Sequence, residues 1–164
     1  MEKDIVIGIS DMKLSQKPGR LVTYALGSCV GICIHDSKTK ISGLSHVLLP
    51  EANIAGDGKK PIEIMKYANT AIPELIKRME QLGASRLNMK AKIVGGAQMF
   101  QSMNNSMTGQ IGQRNVQAVK EALRKEKIAI IAEDTGANYG RTVFMDVATG
   151  TVSVKTAFGK VKDI

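Results

Sequence analysis

The chain contains no tryptophan and only three tyrosines and three phenylalanines among 164 residues. Proteins that bind single-stranded nucleic acid lay successive bases on exposed aromatic rings. So few rings argue against that use, and no nucleic-acid partner is expected. Cysteine is scarcer still, at two residues, which is too few for a disulfide framework. No apolar run approaches the roughly 18 residues needed to cross a bilayer, so membrane insertion is not expected. The N-terminus carries charges of both signs and has no long apolar segment of the kind a secretory signal requires. The expected location is therefore cytoplasmic, where thiols stay reduced.

What remains is ordinary for a globular protein: 43% hydrophobic and 23% charged residues. A chain of this length suits one domain, here residues 1–164, and no repeat or linker divides it. Lys and Arg exceed Asp and Glu by 23 − 15 = 8. The excess favours anionic partners in general. It is spread along the chain, with small clusters only at Lys59-Lys60 and Arg124-Lys125, and reads as a solvated basic surface.

Periodicity predicts seven or eight strands and two main helices. Ile5 to Ile9, Leu21 to Ala25, Cys29 to His35, Ile41 to Leu49, Leu87 to Ile93, Ile128 to Ala132, Arg141 to Val147 and Thr151 to Thr156 read as strands. A helix is expected from Pro61, with a kink or second start at Pro73. The stripe Ile72, Leu75, Ile76, Met79 and Leu82 then leads to Gly83 as the stop. A second helix carries Val116, Val119, Ala122 and Leu123 on one face, with Asn115 as its cap. Residues 51–60 and 98–112 read as loops. Strands joined largely by hairpins, with the helices set apart, predict an α+β layered domain with a mostly antiparallel or mixed sheet.

Both cysteines and both histidines fall between Thr23 and Pro50. If Asp36 to Thr39 is the hairpin loop, opposed residues sum to 75, and Cys29 faces His46 across the ladder. Opposed side chains have Cβ atoms about 4.5–5.5 Å apart, close enough for a thiol and an imidazole to meet. A cysteine works as a nucleophile only near a base or a positive environment, which this pairing would supply. The plainer readings are Cys29 as a small buried hydrophobe and His46 as a core histidine with an ordinary partner. Zinc held by Cys29, Cys33, His35 and His46 is disfavoured, because three of these ligands would be strung along one extended face. A Cys29–Cys33 bridge is disfavoured for the same reason, since their Cα atoms would lie roughly 13 Å apart.

The segments Leu26-Gly27-Ser28-Cys29-Val30, Gly43-x-x-His46-x-x-Leu49-Pro50, Gly95-Gly96-Ala97, Ile111-Gly112-x-Arg114-Asn115, Asp134-x-Gly136-x-x-x-Gly140-Arg141 and Thr149-Gly150-x-Val152-x-Val154-Lys155 occur in an order that resembles the CheD family of chemoreceptor glutamine deamidases. The resemblance implies a cysteine hydrolase that converts particular glutamine side chains of bacterial chemoreceptors to glutamate, releasing ammonia. It places the catalytic residues at Cys29, His46 and Thr23, with no metal or organic cofactor. It implies a fold like the catalytic domain of deamidating bacterial toxins and a partner in the phosphatase CheC. On that reading, backbone N–H groups around Gly27 and Ser28 are the candidates for holding the oxyanion. The alternative from another class is a non-catalytic module that regulates CheC or the receptors.

Overall fold

A computed structural model of the protein describes residues 3–53, 62–99 and 110–164. The described strands form two five-stranded sheets. The first contains β1 (Lys3–Val6), β3 (Gly19–Leu26), β8 (Arg141–Asp146), β9 (Val152–Thr156) and β10 (Val161–Asp163), in the order β1-β3-β8-β9-β10. The second contains β2 (Asp11–Ser15), β4 (Val30–Asp36), β5 (Ser42–Val47), β6 (Met89–Gly95) and β7 (Ala129–Thr135), in the order β2-β5-β4-β6-β7. β1 runs parallel to β3 and β6 parallel to β7, and the other neighbouring pairs are antiparallel. Helices α1 (Ala68–Gln81) and α2 (Ile111–Lys125) complete the fold.

Alternation along β4 explains the layering. Val30, Ile32 and Ile34 enter one core with Ile72, Leu75 and Ile76 of α1 and Val119 and Leu123 of α2. Cys33 of β4 and Leu44 of β5 enter a second core with Leu21, Val143, Met145 and Val154 of the other sheet. The second sheet is thus the middle of three layers and buried on both faces, which is why β4 and β5 contain so few charged residues. Each buried Val, Leu or Ile contributes roughly 1.5–3 kcal/mol.

The α+β arrangement with mixed sheets agrees with the sequence reading, though the strands divide between two sheets and number ten among the described residues. The apolar stretch Ile5 to Ile9 ends its strand at Val6, and Asp11–Ser15 forms an unanticipated edge strand beside β5. The first helix begins at Ala68. Ile64–Lys66 is only a short 3₁₀ turn, and Tyr67 is extended because this stretch pairs with the tail of β5: Leu48 and Leu49 N–H both donate to Lys66 O, at 2.9 and 3.1 Å. Pro73 lies inside α1 without a second start. A proline costs a helix about 3 kcal/mol, less than the roughly 6–12 kcal/mol from burying Ile72, Leu75, Ile76 and Met79. The expected helix start at Pro61 and most of both predicted long loops lie outside the described residues.

Candidate active site

β4 and β5 form the expected hairpin, but its register differs from the sequence reading. Gly31 pairs with His46, Cys33 with Leu44 and His35 with Ser42, so opposed residues sum to 77. The four-residue loop is Ser37 to Lys40. Asp36 still belongs to the ladder, donating its N–H to Ile41 O at 2.9 Å, while its Oδ1 accepts from Lys38 and Thr39 N–H at 2.8 and 3.0 Å. Lys40 closes the turn with φ 63°. Cys29 therefore does not face His46 directly. It sits in the bend just before β4, and it packs into the core between the sheets, on the side to which His46 also turns. Diagonal neighbours in a ladder lie roughly 7–8 Å apart, so Cys29 and His46 share a face but are offset along it by one diagonal step.

His46 is held from three directions. Its strand lies between β2 and β4, its carbonyl accepts from Ser10 N–H at 2.9 Å, and its Nδ1 lies 2.7 Å from Thr23 Oγ1 on β3 of the opposite sheet. Thr23 Oγ1 also lies 2.8 Å from Ile7 O. A carbonyl can only accept, so the single hydroxyl proton of Thr23 goes to Ile7. The hydroxyl oxygen must then accept from His46, which puts the ring proton on Nδ1 and leaves Nε2 with a bare lone pair. His46 and Thr23 are both fully buried, and Nε2 has no hydrogen-bond partner among the described residues. A buried imidazole with its basic nitrogen open is equipped to accept a proton from a neighbouring group.

The bend containing Gly27, Ser28 and Cys29 is fastened by its carbonyls. Gly27 O accepts from Ala97 N–H at 2.9 Å, Ser28 O from Asn115 Nδ2 at 2.9 Å, and Cys29 O from Gly96 N–H at 2.8 Å. Just before the bend it is Ala25, with φ 56°, and not Gly27 that takes the left-handed conformation, inside a bulge where β3 shifts register against β8. Glycine is required at 95 instead, where φ is 116° and a Cβ would lie 2.3 Å from Cys29 O. Asn115 does not cap its helix. α2 begins at Ile111, and Asn115 occupies its buried face with Gly112, Ala118, Val119 and Ala122. A polar residue at an apolar-stripe position was the available sequence signal for it.

The Gly95-Gly96 and Asp134-to-Arg141 motifs gather behind the same bend, whereas Gly150 of the last motif lies against His35. Arg141 Nη1 donates to Gly136 O at 2.8 Å, and Gly136 N–H donates to Gly95 O at 3.0 Å. Arg141 also pairs with Asp134 at 3.3 Å, both of them buried. Cys33 and His35 are held elsewhere in the intersheet layer, His35 with Nδ1 2.8 Å from Ser42 Oγ, whose own proton goes to Val147 O at 2.9 Å.

Burial sets the charge states. It pushes the Cys29 thiol upward, an effect its own backbone N–H partly opposes, and it pushes Cys33 up to about 12. Burial lowers His46 to about 4. At neutral pH the site thus holds a neutral thiol and a neutral imidazole, and a thiolate forms only when a proton moves to the ring. Cys29 is 7% exposed, and both cysteines are free.

Residues 48–156 match the family model described as CheD chemotactic sensory transduction. The chain belongs to the CheD family. It is 47% identical over 152 residues to a protein named "Probable chemoreceptor glutamine deamidase CheD" from Clostridium botulinum (strain Alaska E43 / Type E3), covering 93% of this chain and 92% of that one. It is 44% identical over 162 residues to a protein of the same name from Clostridium kluyveri, covering 99% and 98%. The CheD model match begins beyond Thr23, Cys29 and His46, whereas an alignment of 162 residues runs through all three positions. Among the described residues, no helix is long and apolar enough to cross a membrane.

Proposed function

We propose that this chain, acting as one domain over residues 1–164, is a protein-glutamine deamidase of bacterial chemoreceptors. Cys29 is the nucleophile, His46 the base and Thr23 the group that orients the base. The observation that carries the reading is the Thr23 hydroxyl, which donates to Ile7 O and accepts from His46 Nδ1, leaving Nε2 bare on the sheet face that Cys29 shares. The names of the curated relatives supply the substrate class.

The reaction follows from these positions. As Cys29 Sγ attacks the carboxamide carbon of the substrate glutamine, Nε2 takes the thiol proton, and burial, which disfavours the His46 cation, favours passing that proton on to the leaving nitrogen. Backbone N–H groups of the bend from Gly27 to Cys29 are assigned to the oxyanion, with Gly27 and Ser28 as the substrate contacts. The fastening of all three carbonyls onto Gly96, Ala97 and Asn115 supports this, because it turns them toward the scaffold. The tetrahedral adduct collapses, His46 gives its proton to the departing nitrogen, and ammonia leaves behind a thioester. Water then loses a proton to Nε2 and attacks the thioester carbon, the C–S bond breaks, and the thiolate recovers that proton. The product is a glutamate side chain, and no step uses a metal or cofactor.

The resemblance also carries a toxin-like catalytic fold, a cytoplasmic location and CheC as a partner, and these belong to the same proposal. The test is to incubate the purified protein with receptor cytoplasmic fragments and map glutamine-to-glutamate conversion by mass spectrometry. Conversion at defined positions is expected. Receptor or CheC binding without conversion would replace the enzyme with a non-catalytic regulatory module.

A further inference from the structure

Three features of Asn115 stand out once the bend and the hairpin are in place. It is fully buried on a helix face otherwise made of small and apolar residues. Its Nδ2 donates to two carbonyls, Ser28 O at 2.9 Å and Leu48 O at 3.1 Å. Its Oδ1 is buried with no partner among the described residues. The orientation of the amide is chemically fixed, since an oxygen placed between two carbonyl oxygens would be repelled. One carbonyl adjoins Cys29 in sequence, and the other lies just beyond the end of the strand that carries His46. No other hydrogen bond described above joins the nucleophile's bend to the tail of β5.

We propose that Asn115 is a positioning residue: its carboxamide braces the bend holding Cys29 against the end of β5 and so sets the distance from Cys29 to His46. The inference rests on the deamidase reading above. An apolar residue at this place would fill the stripe without stranding a buried oxygen, so the amide is explained by the two bonds it makes. Because Cys29 and His46 are offset along the hairpin face, their approach depends on how the bend is folded back, and the brace acts on that fold.

Asn115→Asp keeps the shape while removing the donor, and Asn115→Ser shortens it so that both carbonyls cannot be reached together. Displacing reacting groups by about 1 Å costs on the order of 100-fold in rate. The expected result is therefore a fall in kcat of about that size for both variants, exceeding any rise in KM, because the bend that Asn115 braces carries Cys29 as well as Gly27 and Ser28. Activity of Asn115→Asp should partly return as pH is lowered, since protonating the introduced carboxyl restores one donor. Cys33, buried in the intersheet core, reports folding in the same samples: it should stay protected from alkylation, read by site-resolved mass spectrometry. A protected variant with wild-type kcat, or a loss confined to KM, would overturn the proposal. Should one substitution expose Cys33, the other decides by the same readings. Wild type and Cys29→Ala run alongside: an inactive wild type removes the deamidase reading itself and an active Cys29→Ala removes Cys29 as its nucleophile, whereas fully active Asn115 variants beside a normal wild type remove only the brace.

Discussion

Replacing Thr23 with valine keeps the shape of the side chain and deletes one hydroxyl, which makes it the sharpest probe of how His46 is prepared. Two buried groups lose their partner, Ile7 O at 2.8 Å and His46 Nδ1 at 2.7 Å. An unsatisfied buried polar group costs about 1–3 kcal/mol, so the variant should unfold at least about 2 kcal/mol more easily. The kinetic effect is separable. Without an acceptor at Nδ1 the ring proton is free to move to Nε2, the tautomer that cannot take a proton from Cys29. Losing the tautomer control exerted by a carboxylate costs a serine-protease triad about 10⁴-fold. A neutral hydroxyl makes a hydrogen bond roughly half as strong as a charged partner does. Half of that barrier gives about 10²-fold, or about 2.7 kcal/mol at about 1.36 kcal/mol per decade. The assay is steady-state ammonia release from a receptor fragment, with the nitrogen chemical shifts of the His46 ring read by NMR. Thr23→Val should lower kcat by about that factor and lose the uniform Nδ1–H signature, and Thr23→Ser should restore both. A folded Thr23→Val enzyme with wild-type kcat would refute the reasoning.

Three further outcomes follow from the same geometry. Gly95→Ala drives a methyl to 2.3 Å from Cys29 O at φ 116°, so it should destabilise the fold by about 1–3 kcal/mol from the backbone alone and depress turnover; a wild-type urea midpoint would contradict this. Cys33→Ala should leave kcat unchanged, because burial holds that thiol up at about 12 and away from reactivity, and lost activity would mean that the wrong cysteine has been chosen. His46 folds with its pKa lowered from 6.5 to about 4, so the unfolded chain binds a proton first as pH falls. Its contribution is fully present above 6.5 and is lost between 6.5 and about 4, at a total of about 3 kcal/mol. Denaturant titrations across that window should show the slope in wild type and a reduced slope in His46→Gln, with His35, also lowered by burial, contributing in the same direction.

The parts that sequence made legible are those where one element carries its own signal. The stripe from Ile72 to Met79 located α1, and the alternation of Arg141 to Val147 located β8 almost to the residue. The site was harder. The face shared by Cys29 and His46 followed from parity, but their direct opposition did not hold, because Asp36 serves at once as the last rung of β4 and as the acceptor that closes the turn. Composition cannot separate those two roles. The contact between Thr23 and His46 joins different sheets, so no periodicity within either strand points to it, and only the family resemblance singled Thr23 out. Asn115 was read as a cap because asparagine favours caps, yet the helix starts at Ile111 and carries Asn115 inward. β10, exposed along its whole length, has no buried face to create a pattern.

The proposed deamidation has one of two buried thiols attack the substrate amide. It is tested most directly by comparing Cys29→Ala with Cys33→Ala on the same receptor fragment, following ammonia release and glutamine-to-glutamate conversion together. Cys29→Ala should still fold and release no ammonia, while Cys33→Ala should match wild type. Continued conversion by Cys29→Ala would contradict this.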